Sequence, residues 1–333
     1  MLTSTDTAAP LKVALMSCAH THAGSYAALL DGREDVQLVV ADPDGFGDVQ
    51  ASRVVGSYDE AWQAWDSGPD AIVVTAANAD HKDLVLEAAR RGAHVLCEKP
   101  LATSVADAEE MVAACAGAGV VLMTAFPVHF ASAVTALKQA VAEGTLGEVI
   151  GLTGTNNGKL PDGRDWFTDV ELAGGGALVD HTVHIAEILD SMFGPPETVH
   201  AVANRILWAD RVGEGAETGG LVTLTYASGM VATIDCSWSQ PEDAPTWGGL
   251  RLQAVGTGGQ LQIDAFAQHV GGPGQWHAYG ENTDAVLIDA FLDAVRAGEA
   301  VEPTGEVGLR TVRIVAAAQE SVRTGQPVRV GQG

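Results

Sequence analysis

The sequence predicts an α/β protein: a doubly wound parallel sheet, followed by an α+β domain with an open, mainly antiparallel mixed sheet. Two observations carry that expectation. Over the first 125 residues short β-rich runs alternate strictly with helix-like stretches, a pattern that sets parallel strands side by side under helices on both faces. Past residue 126 the β-like runs follow one another through glycine turns, as antiparallel neighbours do. Two domains are therefore expected, residues 1–125 and 126–333, with the C-terminal helix free to pack back on the first.

In the first half, "KVALM" (12–16) and "VQLVVA" (36–41) read as strands around the amphipathic stretch "GSYAALLDG". "AIVVTA", "AHVLCE" and "VVLMTAF" follow, separated by the helix-like "DLVLEAARRG" and "VADAEEMVAACAGAG", whose closing glycines, Gly92 and Gly119, mark helix ends. In the second half "AVTALKQAVAEG" reads as helix, "GEVIGLTGTNN" as strand and "GGGALVDHTVHIAEILDSMFG" as a helix with a glycine-rich start. The runs "TVHAVANRIL", "GGLVTLTYASGMVATIDCSWS" and "LRLQAVGTGGQLQIDAF" carry turns at "ASGM" and "GTGGQ", and two helices, 284–298 and 305–325, end the chain.

Composition narrows the function. With 43 acidic against 18 basic residues the formal charge is -25, which repels nucleic acid and anionic membrane surfaces. The first ten residues, "MLTSTDTAAP", carry no signal-peptide pattern, and no apolar run is long enough to span a bilayer. Four scattered cysteines (Cys18, Cys97, Cys115, Cys236) without a CxxC pair suit reduced thiols, so a cytoplasmic location is expected.

"HVLCEKPLATSVADAEEMV", "GTLGEVIG", "GGGALVDHTVHIAEIL" and the closing "GLRTVRIVAAAQESVRTGQPVRV" resemble the Gfo/Idh/MocA oxidoreductases, named for glucose-fructose oxidoreductase and inositol dehydrogenase. The resemblance runs from about residue 11 to the end. It implies a Rossmann-type first domain and NAD-dependent chemistry on a secondary alcohol of a sugar, cyclitol or related polyol. Within it Glu98, Lys99 and Pro100 end a strand at the carboxyl edge of the sheet, where open α/β folds bind ligands. Lys99 is then placed beside nicotinamide and substrate. Asp180 and His184 lie four apart on one helix face, and an imidazole there can take the alcohol proton while a carboxylate holds substrate or raises its basicity. His181 points elsewhere, as structural residue or site residue. Asn78 and His81 match family positions where the chain passes the cofactor, although a helix cap by Asn78 explains its presence equally. Asp42 ends the second strand, where a carboxylate meets ribose hydroxyls and favours NAD over NADP, or else serves a turn before Pro43.

The departure is "SCAHTH". Laid on the family's G-x-G-x-x-G, the glycine positions fall on Ser17, Ala19 and His22; Ser and Ala are mild changes, His22 a bulky one. His20 and His22 contact a diphosphate or substrate, or they join Asp180 and His184 as ligands of zinc or another divalent ion in a lyase, isomerase or hydrolase without dinucleotide, or they are plain loop residues. A non-catalytic ligand sensor on the same fold is a further alternative. The loop "GTNNGKLPDGRDWF" offers Asn156, Lys159, Arg164 and Trp166 for a hydroxyl-rich ligand, with His129 and Trp238 as further candidates. An apolar outer face on the second sheet, as in the family, implies a homodimer or homotetramer.

Overall fold

The computed structural model describes residues 9–331 apart from 162, 245, 246, 268, 273, 274 and 279. Strand β1 (Leu11–Met16) leads through a loop into α1 (Ala23–Asp31), then β2 (Val36–Ala41), a two-residue edge strand β3 (Val54–Val55) and a short helix α2 (Tyr58–Trp62). After β4 (Ala71–Val74) come α3 (His81–Arg91), β5 (His94–Glu98), α4 (Val105–Ala118) and β6 (Leu122–Ala125). These six strands form one parallel sheet in the order β3-β2-β1-β4-β5-β6. The strand order reverses between β1 and β4, so the carboxyl ends of β1, β4 and β5 open on a crevice, the place where such sheets bind ligands.

The pair β3 and α2 was not expected from the sequence. Both are too short for a period to show, and α2 is marked mainly by its cap, Ser57, whose hydroxyl accepts the Glu60 N–H. Elsewhere the strands of the first sheet are near-continuous apolar runs with buried side chains on both faces, as parallel strands between helices require.

The second half supplies α5 (Ser132–Ala142), β7 (Val149–Gly158), α6 (Val170–Ala173), α7 (Ala177–Phe193), β8 (Thr198–Asn204), β9 (Gly219–Thr225) and β10 (Val231–Asp235). It continues with β11 (Gly248–Gly256), β12 (Gly259–Asp264), the hairpin β13 (His269–Gly272) and β14 (Gln275–Ala278), α8 (Thr283–Ala297), α9 (Gly305–Thr324) and β15 (Val328–Arg329). Its seven-stranded sheet runs β12-β11-β7-β10-β9-β8-β15, antiparallel except where β10 meets β7. The strand read into "TVHAVANRIL" stops at Asn204, whose side-chain oxygen takes the Ile206 N–H and turns the chain.

Helix α7 lies on the inner face of this sheet, with Ile185, Ile188 and Leu189 buried against Val199, Leu224 and Ile234. Both C-terminal helices also reach the first sheet: Leu287, Ile288 and Phe291 of α8 pack with Val13, Leu15 and Tyr26, while Leu309 and Val312 of α9 join the core of α3 and α4. The two sheets are thereby fixed by one set of helices.

The outer face of the second sheet corrects an expectation. Its central row, read across the registers, is His200, Thr223, Thr233, Thr153, Gln253 and Gln262, so the face is polar and rich in threonine. Exposed Val202, Leu221, Val231 and Val255 flank that row. Threonine keeps the β-branched shape that strands favour, so the face satisfies β-propensity without being a large apolar surface.

Candidate functional site

The β1–α1 loop solves the missing-glycine problem in its own way. Ser17 adopts φ 75°, the left-handed conformation that a glycine takes freely and that serine takes at a cost. The sequence reading treated Ser17 as a mild replacement, and the backbone shows the strain it bears. Compensation is local: Ser17 donates its N–H to Ala41 (2.8 Å) and its hydroxyl to Asp42 (3.2 Å), and accepts the Ala19 N–H (3.2 Å). Asp42 also takes the N–H groups of Cys18 and Asp44, so this carboxylate builds the loop and its own turn. From the other half of the chain, Arg164 donates to the carbonyls of Ala19 (2.8 Å) and Cys18 (3.2 Å), and the Trp166 indole N–H to Ala19 (3.0 Å).

His22 stands where α1 begins, and its ring turns into the crevice, with Nδ1 2.8 Å from Glu98 Oε1. The His20 ring, 2% exposed, has Nδ1 3.4 Å from the same oxygen. Burial opposes charge on all three. It drives His20 down to about 3, whereas at His22 the adjacent Glu98 carboxylate prevails and moves the ring above its ordinary value. Burial would likewise raise Glu98, but the two imidazoles and Lys99 hold it far below the carboxylate range. The structure thus groups His20 and His22 with Glu98; Asp180 and His184, the other members of the set weighed from sequence, belong to a separate cluster.

That second cluster is centred on Lys99. The Lys99–Pro100 peptide is cis, and Lys99 sends its ammonium to Asp180 Oδ1 at 2.8 Å. Asp180 is held on two further sides, by the Trp238 indole N–H on Oδ2 (3.1 Å) and by His181 Nε2 (3.2 Å from Oδ2). Burial works against the Asp180 charge, yet Lys99 and His181 keep its pKa well below the ordinary range. His184, one turn on, is half-buried with its Nδ1 enclosed and unpartnered, and desolvation pushes it far below the usual imidazole value, so it stands neutral. The three glycines before α7 position all this: Gly174 and Gly175 take φ 82° and 154°, and a Cβ on Gly176 would lie 2.1 Å from the Glu217 carbonyl oxygen.

A cavity of about 650 Å³ joins the two clusters; His20, His22, Lys99, Asp180, His181 and His184 line it together. Asn156 also lines it, with its amide on the His181 carbonyl (3.1 Å), and so does His181 itself, contrary to the expectation that it points elsewhere. Other expected contacts fall outside. His81 is fully buried with its ring nitrogens on the carbonyls of Pro100 (3.1 Å), Leu101 and Ala76, so it braces the turn after Lys99 rather than meeting a cofactor. His129 is taken by Glu187 (2.5 Å) and Lys138 (3.1 Å), and Trp166 by the loop carbonyl, so neither lines the cavity. Asn78 caps nothing: its amide holds the Ala173 carbonyl (2.9 Å) and its buried Oδ1 has no partner. Sequence reasoning missed Phe167, Trp247, Phe266 and Asp284 in the cavity wall, and only the aromatic character of Trp247 and Phe266 near a turn hinted at them.

Comparison with known proteins agrees with this layout. Residues 16–126 match the family described as "Oxidoreductase family, NAD-binding Rossmann fold", and residues 134–262 match the GFO/IDH/MocA C-terminal domain. The 1,5-anhydro-D-fructose reductase of Ensifer adhaerens is 32% identical over 278 residues, covering 80% of this chain and 82% of that protein. The D-xylose 1-dehydrogenase (NADP(+)) 2 of Haloferax volcanii is 31% identical over 297 residues, covering 83% and 84%. The crystal structure of GenD2 from gentamicin A biosynthesis, in complex with NAD, superposes with a TM-score of 0.86 at 25% identity over 98% of this chain and 97% of that one. A parallel sheet with its crevice at the β1–β4 reversal, a lysine–aspartate pair at the end of β5 and two matched domains lead to one conclusion: the chain belongs to the Gfo/Idh/MocA family of oxidoreductases, with an NAD-binding Rossmann fold in its first half.

Proposed function

We propose that this oxidoreductase acts on a secondary alcohol of a sugar, cyclitol or related polyol, with Lys99, Asp180 and His184 as its reacting set. The observation that carries the reading is the convergence of a lysine–aspartate ion pair and a neutral, half-buried histidine on one cavity at the carboxyl edge of the parallel sheet. The residues present suit a dinucleotide. Gly24 and Ser25, in the first turn of α1, have N–H groups without an acceptor among the described residues, as a diphosphate requires, and the unpartnered Asn78 Oδ1 offers an acceptor next to Lys99 and Pro100. Bound nicotinamide supplies the hydride acceptor. Lys99, paired with Asp180 at 2.8 Å, donates a hydrogen bond to the substrate oxygen and favours it as the proton leaves. His184, which lines the cavity and is kept neutral by desolvation, takes that proton. Asp180 fixes the lysine and, through Trp238 and His181, cannot swing away.

The reading also covers assembly and cofactor choice. Asp42 at the end of β2 favours NAD, and the threonine-rich outer sheet face pairs with a second copy. Four free, buried cysteines suit a reducing cytoplasm, and no helix is long and apolar enough to cross a membrane. The test is a screen of polyols and sugars with NAD, followed by Lys99→Met and His184→Ala. Each variant should lose about 10²–10⁴ in turnover while dinucleotide affinity stays within a few fold. Near-normal turnover in either removes that residue from the chemistry.

A further inference from the structure

His20, His22 and Glu98 serve no function in the proposed proton transfer, yet they form the most tightly drawn ligand cluster among the described residues: one donor atom from each lies within 4.8 Å of the others. We propose that these three side chains bind one divalent transition-metal ion of the zinc class, with an open coordination position facing the cavity.

The geometry is that of a pre-formed ligand triangle. Glu98 Oε1 lies 2.8 Å from His22 Nδ1 and 3.4 Å from His20 Nδ1. Donors at about 2.1 Å from a tetrahedral centre are about 3.4 Å apart, so the Glu98–His20 edge already has that length, the Glu98–His22 edge needs a small opening, and the His20–His22 edge lies within 4.8 Å. The carboxylate is pre-oriented: its second oxygen accepts the Lys99 N–H (3.0 Å), which leaves Oε1 for the histidines. Tyr26, fully buried, sets its hydroxyl 3.3 Å from the same His22 Nδ1.

His20 gives an independent sign. Its Nδ1 accepts the His22 N–H (3.3 Å) and lies 3.4 Å from Glu98 Oε1. Its Nε2 is buried with no partner at all. A ring this enclosed with one nitrogen left unsatisfied by the protein is poorly explained as structure and well explained as a ligand. Two imidazoles and a carboxylate are a set used by catalytic zinc and non-haem iron sites, which keep a position for an exogenous oxygen. Here His20 and His22 both line the cavity, so an oxygen of water or of a bound ligand can complete the shell.

The test uses the full-length chain without a histidine tag, stripped with a chelator and titrated with Zn²⁺ and, separately, Co²⁺. Readouts are metal content by mass spectrometry and the visible bands of tetrahedral Co²⁺; neither depends on turnover, so failure here leaves the redox reading untouched. His20→Gln, His22→Gln and Glu98→Gln are compared, with folding checked by circular dichroism. If the buried Glu98 variant does not fold, His22→Gln, at a position 30% exposed, decides the matter. We expect about one ion per chain in the wild type and an affinity at least about 100-fold lower in the variants. Equal uptake by wild type and His22→Gln, including none in either, overturns the proposal and leaves the cluster as an ion pair; weak uptake is the background of an acidic surface.

Discussion

Ser17 shows how one residue can keep a turn that its type resists. A left-handed conformation costs a non-glycine residue about 1–2 kcal/mol, and the hydroxyl contacts to Asp42 and Ala19 offset part of that. Ser17→Ala, which keeps the strain and loses the contacts, should therefore unfold at lower urea than Ser17→Gly by about 1 kcal/mol. Equal stability of the two would show that the backbone is relaxed there. At Asp42 the prediction concerns binding: NAD should bind more tightly than NADP, and Asp42→Ala should narrow the gap, read by calorimetry. The same variant should lower stability, because Asp42 also organises the loop. An unmutated protein that binds both cofactors equally would reduce Asp42 to that structural role. These residues differ in how far sequence alone reveals them. Lys99, Asp180 and His184 were recognisable because local motifs carry them. The tie from His22 to Glu98 spans 76 positions, and the tie from Trp238 to Asp180 spans 58; no local pattern encodes either.

At the scale of the element, the start of α7 explains why three glycines stand in a row. Two supply backbone angles and the third supplies room, since the Glu217 main chain crosses where a Cβ of Gly176 would stand. Gly176→Ala should shift the first turn of α7, move Asp180 off Lys99, destabilise the protein by about 1–3 kcal/mol and reduce turnover more than dinucleotide affinity. A variant with wild-type melting temperature and rate would mean that the Glu217 main chain yields freely. Helices and strands of ordinary length were legible, because each shows a period of its own. Those hidden from the sequence, β3, α2, α6, β13, β14 and β15, are two to five residues long and show no period of their own.

For the whole molecule, buried imidazoles set the response to acid. His81, His181 and His184 are all held below their ordinary value, chiefly by burial. Below about pH 6.5 the unfolded chain then binds more protons than the folded one. Stability is therefore full above that value and falls as pH drops through and below it, by up to about 1.4 kcal/mol per pH unit for each group. Calorimetry between pH 7.5 and about 5 should show the melting temperature declining; a flat profile would mean that these rings are already charged in the fold. Assembly is tested at Thr233, in the middle row of the outer sheet face. Thr233→Arg should convert a dimer into monomer by light scattering, since self-pairing brings like charges together, and a monomeric wild type would dismiss that face as an interface.

The bridge from Arg164 and Trp166 to the carbonyls of Cys18 and Ala19 reaches beyond structure into kinetics. A dinucleotide whose diphosphate rests on that loop shares it with a segment tied down by three hydrogen bonds. Its residence time is then governed by how often the segment lifts as well as by how tightly the nucleotide is held. Arg164→Ala, which removes two of these hydrogen bonds, should therefore speed NAD release in stopped flow; an unchanged release rate would show that the segment does not gate the nucleotide.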